Sequence, residues 1–375
     1  MRDFSSFRRV VVKVGTNLLS TEDGIDNARI DDLCAQIADL RDKGYQVLLV
    51  TSGAIGLGAK EIKHRNRVVH IPMRQACAAI GQPILMEHYR EAFRKHSIIC
   101  SQVLLTRNDL NNRKTYNNLR SSVSTLLALG IVPIFNENDV ISTAEIGSAF
   151  GDNDRMSAMV ASKIDADLLI LLTDIDGLYT GNPKTDPDAV LLKEIEKIDS
   201  KVMGYAKGAG STFSTGGMKT KLLAAQIASL AYCGTCIASG YEKNILSRIM
   251  AGEDVGSYIH PGRKLNQRER WIINNSHVGA IRVDDGAKAA LFAHRSLLPS
   301  GIVGVEGVWD VGDVVAVCDK DGVIFAKAVP YYDSTSTALL MGHRSQDIGS
   351  ILGEGKKDCI FRPEDLVFTG DAESL

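Results

Sequence analysis

From Arg8 to about His260 the chain alternates short β-branched apolar runs with longer stretches of helical period, and few folds accommodate that alternation. The runs RRVVVKVG, YQVLLVTSG, SIICSQVLLT, GIVPIFNEN, ADLLILLTDIDG and GTCIASG are each rich in Val, Ile and Leu between turn residues, as strands are. Between them, ARIDDLCAQIADLRDKG and KTKLLAAQIASLAYCG repeat apolar residues at spacings of three and four, which lays one apolar stripe along a helix. Strand and helix in alternation predict an α/β fold with a doubly wound, mainly parallel sheet. The near-continuous apolarity of the runs agrees, because a parallel sheet is covered on both faces.

Beyond His260 the pattern changes. The charged stretch PGRKLNQRER leads through WIINN into short runs, GAIRVDDGAKAALF, LLPSGIVGVEG, GDVVAVCDKDG and VIFAKAVPYY, broken by Gly- and Asp-rich turns. The expected division is a large domain over residues 1–260, a linker over 261–276 and a small β-rich domain over 277–375, with FTGDAESL as a frayed tail. The small domain carries nine Lys plus Arg against fifteen Asp plus Glu, which argues against a nucleic-acid module, since those show a basic footprint. The whole chain, at a formal charge of −2, has no general pull toward nucleic acid either.

No segment reaches the roughly 18 apolar residues of a membrane span, and MRDFS lacks a signal peptide's apolar stretch, so a cytoplasmic location is expected. Seven cysteines, an odd number in apolar surroundings, fit a reducing compartment. Cys233 and Cys236 form a C-x-x-C that could mean zinc or thiol chemistry, but no second pair completes a four-ligand shell, and core thiols are the expectation.

The chemistry concentrates after GIVPIF. Residues 136–154, NENDVISTAEIGSAFGDND, hold five carboxylates and no Lys or Arg, directly beyond the end of a strand, where ligands of open α/β sheets collect. Two glycine-rich segments, VTSGAIGLG and STFSTGGMKTK, suit anion binding by backbone N–H groups at a helix start. Neither is a standard fingerprint: Glu61 stands where a third dinucleotide-binding glycine belongs, and no Gly-Lys-Ser/Thr is present. Lys13 interrupts VVVKVG, where a buried strand should be apolar, and a buried charge is costly without a partner. Lys221 lies just inside the helix opened by Thr215, Gly216, Gly217 and Met218. Two cations, two glycine-rich turns and a carboxylate cluster at strand ends make a phosphoryl-transfer site, whose catalysis is positioning and charge stabilisation.

VVKVGTNLL, TSGAIGLG, IFNENDVIS, FGDNDRMSA, LLTDIDGLYTGNP and STGGMKTKLLAA, in this order, resemble the glutamate 5-kinases of the amino acid kinase family. The tail, through GAIRVDDGAKAAL, SLLPSGIVGVEG and GDVV, is similar to the PUA domain of many bacterial members. The resemblance spans almost the entire chain. It implies ATP- and magnesium-dependent phosphorylation of the side-chain carboxylate of L-glutamate, the first step of proline synthesis.

Block by block, the resemblance implies that Lys13 bears on the nucleotide phosphates and that Ser52, Asp139 and Asn153 hold glutamate. Asp139 would face the substrate ammonium and Asn153 would donate to a carboxylate. Asp154 would orient the lysines, and Thr173 and Asp174 match nucleotide contacts. Thr215, Gly216, Gly217, Met218, Lys219, Thr220 and Lys221 match the second phosphate-binding segment, with Lys221 on the transferring group. Asp152 is a candidate magnesium ligand. The resemblance also implies a homo-oligomer, feedback inhibition by proline, and handover of the labile acyl phosphate to glutamyl phosphate reductase.

One departure stands out: relatives place a lysine two residues before Gly-Asp-Asn-Asp, and this chain has Ala149 there. Either Lys13 and Lys221 suffice, or another basic residue such as Arg155 substitutes. Acetylglutamate, aspartate and uridylate kinases of the same fold, and an RNA-binding regulator acting through the PUA-like domain, stay open as alternatives.

Overall fold

The run RVVVKV forms β1 (Arg9–Val14), and its two-residue period decides what each side chain meets. Val10, Val12 and Val14 enter a core with Leu33, Ile37 and Phe93, while Val11 enters a separate core with Leu169, Leu171 and Leu222. Lys13 has the parity of Val11, so its stem leaves the sheet on that second face. In the strand ladder Lys13 is paired with Val50 on one side and Leu171 on the other, which fixes its backbone from both directions.

This computed structural model describes residues 2–21, 24–64, 68–106, 109–110, 113–141, 152–183, 185–206, 217–262, 267–275 and 277–369, with the backbone alone at a few of them, Asp152 included. They fall into two compact units, Met1–Lys264 and Leu265–Leu375.

In the first unit, β1 is joined by β2 (Gln46–Val50), β3 (Cys100–Leu105), β4 (Val132–Glu137), β5 (Leu168–Thr173), β6 (Glu194–Ile195), β7 (Gly234–Ser239) and β8 (Ser257–Ile259). Their spatial order is β3-β4-β2-β1-β5-β7-β8-β6. Neighbours are parallel except β7 and β8, which run antiparallel. All six expected runs are strands of the parallel part, whereas β6 and β8 extend one end of the sheet by strands of two and three residues, too short to register as a period. Wound in this order, the chain leaves β1 toward β2 and later returns on its other side at β5. That reversal makes the carboxyl ends of β1 and β5 the crevice where an open α/β sheet binds ligands.

Both faces are covered. Helices α1 (Asn27–Asp42), α2 (Ala54–Glu61) and α3 (Ile71–Arg94) come early in the chain, followed by α4 (Arg113–Ala128), α5 (Asp152–Lys163), α6 (Met218–Leu230) and α7 (Ile245–Met250). Ile37 of α1, Leu85 and Phe93 of α3 and Ile249 of α7 fill the first core. Val123 of α4, Val160 of α5 and Leu222 of α6 fill the second. Each such side chain, fully buried, contributes about 1.5–3 kcal/mol, so the two layers rather than helix propensity hold the sheet.

The second unit has its own sheet: β9 (Gly279–Val283), β10 (Ile302–Gly307), β11 (Val315–Cys318), β12 (Ile324–Ala328) and β13 (Leu366–Phe368), in the order β10-β9-β11-β12-β13. All its pairings are antiparallel except β9 with β11. Its core gathers Ile281, Trp309, Val317, Ala326 and Phe361, and the buried Trp309 indole donates to the Tyr332 carbonyl at 3.0 Å.

Cys233 and Cys236 are buried thiols outside any disulfide, and burial pushes the Cys236 thiol up to about 12. They pack in the core as expected. Among the described residues no helix is long and apolar enough to cross a membrane.

Candidate active site

Asp154, in the first turn of α5, is 1% exposed and is gripped from two sides. Its Oδ1 lies 2.6 Å from the Lys13 ammonium, and its Oδ2 lies 3.3 Å from that of Lys221. The Thr220 hydroxyl donates to the same Oδ2 at 2.8 Å. Lys13 and Lys221 are themselves 7% and 5% exposed, so two positive charges and one negative share a nearly dry space. Burial alone would push the Asp154 carboxyl up, but Lys13, then Lys221 and the Thr220 hydroxyl outweigh it and hold the group below the ordinary carboxylate range. Lys221 moves the other way from a surface lysine. Burial lowers its pKa and Lys13 adds repulsion, against the opposing pull of Asp154.

Local sequence builds this cluster. Gly217 caps α6 in extended conformation, and the first helical turn places Met218, Lys221 and Leu222 on the buried side while Lys219 faces out. Thr220 and Lys221 then reach Asp154 from one helix start, and Lys13 reaches it from the end of β1. Thr215 and Gly216 lie outside the described residues, as do Ala149, Gly151 and the side chain of Asp152.

A second cluster surrounds Asn153. Its Nδ2 lies 2.7 Å from the Thr51 carbonyl, 2.7 Å from the Ser52 hydroxyl and 3.2 Å from Oδ1 of Asn136. An amide nitrogen has two hydrogens, and the two short contacts use both. Donation from Asn153 to a substrate carboxylate, as expected above, therefore requires one of these bonds to be given up. Accepting from Asn153 leaves the Ser52 O–H as the ready donor. Beneath it, the buried Thr51 hydroxyl is hydrogen-bonded to the buried Tyr89 hydroxyl at 2.9 Å. Asp139 sits half-buried in the turn that follows β4.

A third group closes the end of β5. Thr173 donates through its hydroxyl to Asp174 Oδ1 at 3.0 Å, and the Asn17 amide donates to Oδ2 at 3.3 Å. Burial pushes the Asp174 carboxyl up, but these two bonds outweigh it and the group stays below the ordinary range.

Residues 8–238 match the amino acid kinase family, and residues 279–352 match the PUA domain. A glutamate 5-kinase of Methanococcoides burtonii is 43% identical over 360 residues, covering 96% of each chain. Glutamate 5-kinases of Methanosarcina acetivorans, 43% identical over 97% of this chain and 96% of that one, and of a Geobacter species, 42% identical over 96% and 97%, are similarly close. The chain belongs to the amino acid kinase family.

In this amino acid kinase the glycines of TSGAIGLG divide their work. Gly53 begins α2 with φ of +108°, a left-handed conformation that a side chain would strain. Gly58 is a packing position, because a Cβ there would lie 1.8 Å from the Cys77 carbonyl oxygen of α3. Gly81 answers it from α3, where a Cβ would meet the Ala54 carbonyl at 1.9 Å. Only Gly56 is exposed with open space around it. Sequence reasoning missed Asn17, Thr51 and Gln82. A polar Gln82 in the buried phase of α3, between Ala78 and Leu85, was the one available signal.

Proposed function

We propose that this amino acid kinase transfers the γ-phosphoryl group of ATP to the side-chain carboxylate of L-glutamate, giving L-glutamyl 5-phosphate in the first step of proline biosynthesis. The observation that carries the reading is Asp154 holding both Lys13 and Lys221 at the crevice between β1 and β5. Near-full-length relatives named glutamate 5-kinase support glutamate as the acceptor.

The chemistry follows from charge. A glutamate side chain, with a pKa of about 4.3, is already ionised at neutral pH, so the attacking oxygen needs no general base. What opposes reaction is repulsion between the acceptor carboxylate and the triphosphate. Lys13 and Lys221 screen that repulsion, Lys13 from the nucleotide side and Lys221 on the transferring group, while Asp154 keeps both ammonium groups oriented and prevents their mutual repulsion from splaying them. Thr173, Asp174 and the backbone of residues 215–220 take the nucleotide. Ser52 donates to the amino acid's carboxylate, Asn153 fixes Ser52, and Asp139 takes its ammonium.

Magnesium fits as ATP's counter-ion. It favours carboxylate and phosphate oxygens, and since both Asp154 oxygens are engaged by lysines and Thr220, the phosphates and Asp152 would hold it. When bound it would supply further neutralisation of phosphate charge. The family resemblance extends the reading to a cytoplasmic homo-oligomer inhibited by proline, whose labile product passes to glutamyl phosphate reductase.

Incubation with ATP, magnesium and hydroxylamine tests the substrate. L-Glutamate should yield γ-glutamyl hydroxamate, with aspartate and N-acetylglutamate giving no hydroxamate and UMP no ADP. Turnover of one of those three in place of glutamate overturns the reading.

A further inference from the structure

Behind Asn153 runs a chain of amides that ends at Gln102 on the edge strand β3. Asn136, 2% exposed, donates through Nδ2 to Oε1 of Gln82 at 2.8 Å, and Gln82, 7% exposed, donates through Nε2 to Oε1 of Gln102 at 3.1 Å. The four residues come from α5, β4, α3 and β3, so four elements meet along one line of hydrogen bonds.

An amide can be turned end for end, and a line of amides carries a direction only if something unambiguous anchors it. Two backbone groups do so here. The Glu137 N–H, which can only donate, gives its hydrogen to Asn136 Oδ1 at 2.9 Å. The Thr51 carbonyl, which can only accept, takes one from Asn153 Nδ2 at 2.7 Å. With Asn136 Oδ1 committed to the Glu137 N–H and facing the Asn153 NH2 at 3.2 Å, its Nδ2 must face Gln82, and Gln82 must present its oxygen inward and its nitrogen outward. A reversed Gln82 would set one NH2 against another in a buried space, where an unmatched donor is expensive.

We propose that Gln82 is a positioning residue for the acid substrate: its inward oxygen locks the Asn136 amide, which in turn keeps the Asn153 NH2 on Ser52 and the Ser52 O–H free to donate. The proposal rests on the glutamate reading only for the identity of that acid. Gln102 closes the line from outside, its oxygen accepting from Gln82. Because Gln102 is exposed on β3, it can be changed without disturbing the core.

The test uses the full-length protein and steady-state kinetics. Gln102→Lys sets a donor against the outward NH2 of Gln82, strains the line from its outer end, and should raise KM for glutamate at least about fivefold with little change in kcat or in KM for ATP. Gln102→Glu keeps an acceptor and should retain the wild-type KM within about twofold. Simple charge attraction predicts the opposite order, because an added lysine favours an anionic substrate and an added glutamate repels one. Gln82→Leu should raise KM at least as much as Gln102→Lys, and the protonated form of Gln82→Glu, which still accepts from Asn136 and donates to Gln102, should restore it. A glutamate KM that is unchanged or lowered in Gln102→Lys overturns the proposal, even if Gln82→Leu fails to fold. Wild-type turnover is the control for the glutamate reading. Were another acid the substrate, the KM for that acid is the quantity to follow.

Discussion

At the scale of single residues, Asp154 bears the greatest consequence because it serves two cations. Replacing it with Ala leaves two buried ammonium groups facing each other, and breaking a buried ion pair from one side costs about 3–5 kcal/mol. Urea denaturation should register that loss, and kcat should fall about 10²–10³-fold in the hydroxamate assay, as for removal of one group that organises transition-state charge. The pH dependence has a definite sign. Asp154 is held below its ordinary value of 3.8, so the stability it contributes is complete above that value and disappears only as pH falls further, through the folded-state pKa. Lys221 is depressed below 10.5, so the alkaline fall in kcat should set in earlier than an ordinary lysine would give. Lys221→Arg, which keeps its charge, should remove that limb even if it lowers the maximum. Lys13 and the carboxylates were legible because a charge interrupts an apolar run and acids crowd a strand end. The grip itself was legible only in part, since Asp154 meets Thr220 and Lys221 across more than sixty residues of chain.

At the scale of elements, α2 and α3 are held together by the absence of side chains. Gly58→Ala drives a Cβ into the Cys77 carbonyl and should destabilise the protein by about 1–3 kcal/mol or more. Gly56→Ala meets nothing within 4 Å and should stabilise α2 by up to about 1 kcal/mol. Thermal melts of the two variants, two residues apart, should therefore move in opposite directions. In sequence these glycines look alike, and a phosphate-cradling motif is the natural first reading. Their difference lies in which face of a short helix meets a neighbouring helix, and that depends on Gly81, far along the chain. The six parallel strands were legible from composition and period. The short strands β6 and β8 were not, because tertiary pairing rather than local preference defines a strand of two or three residues.

At the scale of the whole molecule, every site residue among those described lies in the unit Met1–Lys264, and the described residues of its two cores are all its own. A chain ending at Lys264 should thus fold and keep its kcat within about threefold, a domain with its own core being able in principle to stand alone. Loss of glutamate turnover in a folded truncation would give the PUA unit a direct part in catalysis.

The two cations also sit in parts of the fold with different resistance to opening. Lys13 is built into a central strand bonded on both sides, among the last places to exchange amide hydrogens, whereas Lys221 hangs from the first turn of a helix, where opening is easiest. Low urea should therefore disarm the enzyme before it unfolds it. Turnover should be lost while the far-UV signal remains native, and return at once on dilution.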